Sequence, residues 1–146
     1  MSADADHTVC LVDDDPSVRK ALGRLLELEG FDVHGFAEAE SFLEHIATHE
    51  VPVLVLDIWM AGVNGMHLLA RLCAQSPRTR VIFITGHDDG AARATVMQAG
   101  ACDFLIKPVE ADQFLDAVRR AITESLALAK GGAGNSPEKL ASKGQP

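Results

Sequence analysis

Val53-Leu54-Val55-Leu56-Asp57-Ile58-Trp59-Met60 runs four branched apolar residues straight into an aspartate. A short continuous apolar run predicts a strand buried on both faces. A carboxylate at its C-terminal end lies where a parallel α/β sheet opens its ligand crevice. Aspartate also closes many strands simply as a turn residue, so the flanking chain has to decide between the two roles.

Upstream, Thr8-Val9-Cys10-Leu11-Val12 predicts a first strand that ends in Asp13-Asp14-Asp15-Pro16. Asp15 is placed to cap a helix whose first turn takes Pro16. Val18, Ala21, Leu22, Leu25, Leu26 and Leu28 give that helix its apolar spacing, and Gly30 stops it. Residues 31–36 alternate as a half-exposed strand near a sheet edge. A helix over about 37–49 leads into the Asp57 strand. Downstream, residues 61–65 form a loop, with Asn64 as cap for a helix from Met66 to Gln75. Arg80 to Ile84 is a buried strand followed by Thr85-Gly86-His87. Residues 88–99 predict a weakly amphipathic, alanine-rich helix closed by Gly100. Asp103-Phe104-Leu105-Ile106 is a fifth strand, followed by Lys107-Pro108. Residues 111–129 are the last helix, striped by Phe114, Leu115, Val118, Ala121, Ile122 and Leu126.

Strand and helix thus alternate five times. This pattern implies a doubly wound (βα)5 sandwich, flavodoxin-like, with a parallel five-stranded sheet of order 2-1-3-4-5. The expected organisation is a disordered N-terminus over residues 1–7, one folded domain over 8–129, and a flexible linker or tail over 130–146. Gly131-Gly132-Ala133-Gly134-Asn135-Ser136-Pro137 has the composition of a tether.

Composition narrows the function classes. A length of 146 residues accommodates one core. A net charge of −8 argues against general nucleic-acid affinity through this domain. The apolar runs are too short to span a bilayer, and the acidic N-terminus does not resemble a signal peptide. Cys10, Cys73 and Cys102 are expected to be packed thiols of a reducing cytoplasm. The six histidines are scattered, with no spacing that suggests a metal site.

The chemistry gathers at the strand ends: Asp13 and Asp14 after the first, Asp57 after the third, Thr85 after the fourth, Lys107 after the fifth. The proposed strand order brings these ends to one crevice. Three carboxylates held together repel one another unless a cation joins them, and hard oxygen donors suit magnesium or manganese. Lys107 and the Thr85 hydroxyl are suited to phosphoryl oxygens. Asp57 is then a candidate nucleophile for an aspartyl phosphate. Singly, each of these features has an ordinary explanation in capping, turns or surface loops; their joint placement does not.

These residues resemble the receiver domain of two-component response regulators. Leu11-Val12-Asp13-Asp14-Asp15 is similar to its acidic-pair motif, and Val55-Leu56-Asp57-Ile58-Trp59-Met60 to its phosphoacceptor strand. Ile84-Thr85-Gly86-His87 and Asp103-Phe104-Leu105-Ile106-Lys107-Pro108 match the remaining signatures, with wording closest to the FixJ-type branch. The resemblance runs from about residue 8 to 128. It implies that Asp57 takes a phosphoryl group from a sensor histidine kinase. Asp13, Asp14, Asp57 and the Trp59 backbone carbonyl would hold magnesium, and Lys107 would pair with the phosphoryl oxygens. Thr85 and Phe104 would act as the switch pair. The face formed by the fourth helix, fifth strand and fifth helix would serve a homodimer or another partner. Two departures stand out: Ala61 replaces a common proline, which predicts a looser loop, and the bulky Trp59 is placed to shield an acyl phosphate from water. His87, two residues beyond Thr85, is expected to be an ordinary loop histidine beside the site.

The function expected is a phosphorylation-controlled switch in the cytoplasm, not an enzyme. Its output would be transcription through a DNA-binding domain that this chain lacks; alternatively it would be a stand-alone receiver or phosphorelay protein. A magnesium-dependent aspartyl-phosphate phosphatase is a weaker alternative, because Trp59 occupies the position where such enzymes place a second aspartate. A flavodoxin-like cofactor binder is disfavoured, because Asp13-Asp14-Asp15 would repel a cofactor phosphate.

Overall fold

The computed structural model describes residues 6–59 and 65–134. Strand β1 (Thr8–Val12) is followed by α1 (Pro16–Leu28), β2 (Asp32–Phe36), α2 (Ala39–Ile46), β3 (Val53–Asp57) and α3 (Gly65–Gln75). Then come β4 (Arg80–Thr85), α4 (Gly90–Gln98), β5 (Asp103–Ile106) and α5 (Ala111–Gly134). The five strands form one parallel sheet in the order β2-β1-β3-β4-β5, as the alternation implied.

The two-residue period of the strands sorts the core into two layers. Val9, Leu11, Val53, Val55, Ile82, Ile84 and Leu105 pack with Leu22 and Leu26 of α1 and Phe114, Leu115 and Val118 of α5. Cys10, Val12, Leu54, Leu56, Val81, Phe83 and Phe104 pack with Phe42 of α2, the leucines of α3 and Val96 of α4. β1 and β3 are buried along their whole length, which is why they read as unbroken apolar runs. β2, at the sheet edge, is only half-buried.

Local signals set the helix ends. The Asp15 carboxylate accepts from the Ser17 N–H at 2.9 Å, with Pro16 in the first turn. At the far end Gly30 takes φ +92°, its N–H donates to Glu27 O and that of Phe31 to Leu26 O. The same paired closure recurs after α4, where Gly100 at φ +113° bonds Met97 O and Ala101 bonds Val96 O. Both are Schellman caps, whose left-handed residue glycine adopts without strain. α4 starts from Asp89, whose carboxylate accepts from the Ala91 and Ala92 N–H groups at 3.0 and 3.1 Å. Val96 is the one buried residue of this helix, so little else anchors it. Asp89→Ala is expected to cost about 1 kcal/mol and to speed amide exchange in α4 more than elsewhere, as read by hydrogen exchange.

Several boundaries differ from expectation. α2 is shorter than residues 37–49, and its cap residue Glu38 makes no side-chain capping bond. α5 runs to Gly134, past the expected end at Ala129, because adding a residue to a formed helix costs little beyond the weak propensity of glycine. Leu28 points outward and is 77% exposed: it continues the Ala21–Leu25 line, not the buried Leu22–Leu26 line. Cys73 is exposed, not packed, since it lies one residue past the inward Leu68–Leu69–Leu72 stripe. Cys10 is buried and Cys102 partly so. Burial pushes the Cys10 thiol up to about 12, helped by Asp32, and the Cys102 thiol up to about 11, helped by Glu124. The Asn64 cap, the Ala61 loop and the tail beyond Gly134 lie outside the described residues. No described helix is long and apolar enough to cross a membrane.

Candidate functional site

The switch point of the sheet lies between β1 and β3, and both strands deliver carboxylates there. The N–H of Asp13 continues the β1–β2 ladder by donating to Phe36 O, and that of Ile58 continues β3 against Ile84 O. Asp13 and Asp57 are therefore held by strand pairing and are 2% and 8% exposed. Asp14 is exposed beside them. One carboxylate oxygen from each of Asp13, Asp14 and Asp57 lies within 4.8 Å of the others.

Lys107 reaches this cluster from the end of β5. Its Nζ donates to Asp13 Oδ2 at 3.0 Å and to Asp57 Oδ2 at 3.1 Å. The opposite oxygens are also oriented: the Asp15 N–H donates to Asp13 Oδ1 and the Trp59 N–H to Asp57 Oδ1, both at 2.9 Å. The Lys107 N–H donates to Thr85 O at 2.7 Å, which ties the lysine backbone to β4. Partial burial opposes the charge on Lys107. The hydrogen bonds and charges of Asp13 and Asp57 outweigh it and raise the lysine above its ordinary value of 10.5.

The sign of the pH effect follows. A raised lysine contributes stability that is full below pH 10.5 and is lost as pH rises through its higher folded value. The buried Cys10 thiol adds a separate loss that begins above its ordinary value of 9.0. Urea unfolding is therefore expected to show stability falling above pH 9 in both the wild type and Lys107→Met, with a steeper fall above pH 10.5 in the wild type, where the lysine adds to the thiols.

Three carboxylates face one ammonium, so the cluster retains excess negative charge. Its donors are all hard oxygens and one is open to water, a set that fits magnesium or manganese and not a thiophilic metal. An arriving phosphoryl group would find Lys107 already at the mouth of the site.

The structure thus brings Asp13, Asp14, Asp57 and Lys107 together. Thr85 lies at the adjacent strand end, fully buried, its Oγ1 accepting from the His87 N–H at 3.0 Å. Phe104 stands apart in the core, 1% exposed, with the Arg93 guanidinium of α4 5.1 Å above its ring. Trp59 is 54% exposed and meets the His87 ring edge-on at 6.1 Å. Two contributors escaped the sequence. Arg19 donates to Asp13 O at 2.6 Å, and nothing marks an arginine on a helix surface for that role. Arg93 over Phe104 likewise depends on how α4 docks.

A parallel sheet whose switch point gathers three acids and a lysine has the charge and donors suited to a phosphoryl group. The chain belongs to the response regulator receiver domain family, whose model matches residues 9–119. It is 43% identical over 120 residues to the C4-dicarboxylate transport transcriptional regulatory protein DctD of Pseudomonas aeruginosa, covering 82% of this chain and 26% of that protein. It is 39% identical over 116 residues to the transcriptional regulatory protein FixJ of Rhizobium meliloti, covering 80% and 57% respectively. Among solved structures, the beryllofluoride-activated NtrC4 receiver domain dimer matches with a TM-score of 0.78 and 31% identity, over 82% of this chain and 98% of that one. The chain spans from about a quarter to under two thirds of the length of these curated relatives. Receiver domains are signalling switches rather than classical enzymes; histidine kinases phosphorylate them, and they generally use magnesium.

Proposed function

We propose that Asp57 is the phosphoacceptor of this domain and that its modification switches a partner surface. The observation that carries this is the Lys107 ammonium bridging Asp13 and Asp57 beside Asp14. The donor is the phosphohistidine of a sensor histidine kinase. An Asp57 carboxylate oxygen attacks phosphorus, the P–N bond breaks, and the imidazole leaves with the electron pair. Lys107 takes up the charge of the transferred oxygens. Asp13, Asp14, Asp57 and the backbone carbonyl of Trp59 would hold magnesium, or manganese, which would supply positive charge to offset that of the phosphoryl group. The domain catalyses its own modification and slow hydrolysis, and the bulky Trp59 ring two residues beyond the acceptor retards that hydrolysis.

A groove of about 460 Å³ beside Lys107, lined by Val18, Ala21, Leu22, Leu25, Pro108 and Val109, supports docking of the kinase next to the acceptor. Thr85 turns toward the new phosphoryl group and Phe104 repacks with it, altering the face of α4, β5 and α5. Arg93 on the Phe104 ring and the Arg120–Asp103 ion pair at 2.6 Å lie on these elements. We assign this face to a homodimer, by analogy with the NtrC4 receiver dimer. The receiver unit runs from residue 8 to the end of α5 at Gly134, beyond the expected boundary at 129, and the segment that follows tethers a DNA-binding output domain outside this chain, in the cytoplasm. The relatives DctD and FixJ, both named as transcriptional regulators, favour that output over a stand-alone relay.

The test is intact mass after incubation with a small phosphodonor. A gain of one phosphoryl group with magnesium, abolished by EDTA, is the expected result. No gain with magnesium, or an equal gain with EDTA, would overturn the proposal.

A further inference from the structure

Arg19 is the fourth residue of α1, and its side chain turns back to the end of β1. Helical side chains lean toward the N-terminus of their helix, which aims this one at the β1–α1 turn. Its stem lies beside Gly35 of β2, where an added Cβ would sit 3.5 Å from Arg19 Cδ. Its Nη1 donates to Asp13 O at 2.6 Å. A hydrogen bond from a charged donor is stronger than one between neutral groups.

The carbonyl held in this way belongs to the peptide that joins Asp13 to Asp14. A peptide is planar, so fixing its oxygen also fixes the direction in which the chain leaves for the Asp14 Cα. The rest of the turn is pinned around it. The Asp15 N–H donates to Asp13 Oδ1 and the Ser17 N–H to Asp15 Oδ1, both at 2.9 Å. The Arg19 N–H donates to Asp15 O at 3.1 Å. Arg19 thus grips the turn twice, once on each side of Asp14. Asp14 differs from the other two acids of the cluster. Lys107 and a backbone N–H orient the carboxylates of Asp13 and Asp57. The Asp14 carboxylate is exposed and accepts no hydrogen bond among the described residues, yet one of its oxygens lies within 4.8 Å of the others. Its place is therefore set by its backbone.

We propose that Arg19 is a positioning residue of the magnesium centre: through the Asp13 carbonyl it holds the Asp14 backbone where the carboxylate can share a cation with Asp13 and Asp57. The assignment rests on the same magnesium site as the proposed function. Groups one shell out from a metal's ligands set affinity by orienting those ligands. A turn ordered in advance also spares the ion the conformational entropy of ordering it. The sign of the effect separates this role from that of a nearby charge. A guanidinium beside three carboxylates repels a divalent ion, so removing an arginine that acted by charge alone would tighten magnesium. Removing one that positions Asp14 weakens it.

The test is a magnesium titration of the full chain followed by amide NMR. It reads the N–H signals of Asp15 and Trp59, which bond the Asp13 and Asp57 carboxylates. Arg19→Met is expected to raise the magnesium Kd by about tenfold. Arg19→Lys keeps a cationic donor on a long stem and is expected to fall between the wild type and Arg19→Met. Lys20→Met removes the adjacent exposed charge of α1 and is expected to leave the Kd within about twofold. Urea curves without magnesium check that each variant folds. Unchanged or tighter binding in folded Arg19→Met overturns the assignment of Arg19 and leaves the magnesium site standing. Equal weakening in Lys20→Met, or Arg19→Lys no better than Arg19→Met, overturns it as well. Wild-type signals that magnesium does not move would overturn the magnesium site itself, and the assignment with it.

Discussion

Asp57→Asn is expected to take up no phosphoryl group from any donor while remaining folded. The amide matches the carboxylate in shape, and its oxygen can accept the Trp59 N–H that Asp57 Oδ1 accepts at 2.9 Å, at the loss of the 3.1 Å bond from Lys107 to Oδ2, which the amide NH2 cannot accept. It has no anionic oxygen to attack phosphorus, so the nucleophilic step is lost outright. The fold should hardly notice. Lys107 keeps Asp13 at 3.0 Å, and removing one charge from a cluster of three carboxylates relieves repulsion. The net change in stability should therefore stay within about 1 kcal/mol. Intact mass with a phosphodonor and magnesium, together with a urea curve, reads both quantities. Residual uptake in the folded variant would move the acceptor to Asp13 or Asp14.

The largest effect on stability is expected at Phe83. Its side chain is fully buried at the centre of β4, with Leu56 and Phe104 as its strand-register partners. Packing is tight on the helix side as well: a Cβ added at Gly65, the first residue of α3, would come within 3.1 Å of Phe83 Cε1. α3 thus approaches the ring closely at Gly65, where an added methyl group would press on Phe83 and Ile58. Phe83→Ala would leave a cavity that strands on both sides prevent from collapsing. The expected loss is about 3–5 kcal/mol, read as a lower urea midpoint. A loss under about 1 kcal/mol would mean that the core repacks around the gap.

How far the sequence carries depends on what kind of interaction fixes each feature. β1 and β3 were plain in it because a strand buried on both faces must be apolar throughout, and the caps at Asp15, Gly30 and Gly100 were plain because each meets a local backbone demand. The crevice followed from topology: once the order 2-1-3-4-5 is inferred, Asp13, Asp14, Asp57 and Lys107 have one place to meet. Interactions set by docking were not legible. The placement of Arg19 on the Asp13 carbonyl and of Arg93 on Phe104 depends on helix orientation, which no local pattern encodes. Leu28 and Cys73 misled because a single apolar residue does not reveal which side of a helix it occupies. The ring contacts that join His34 to His45 and His49 likewise arise only from the packing of α2 on β2.

The most direct measurement is the position of the acyl phosphate. Borohydride reduces an aspartyl phosphate to homoserine, which marks the modified residue covalently for peptide mapping. After treatment with a phosphodonor and magnesium, homoserine is predicted in place of Asp57, with Asp13 and Asp14 intact. Homoserine at Asp13 or Asp14, or its appearance at Asp57 to the same extent with EDTA present, would contradict the account.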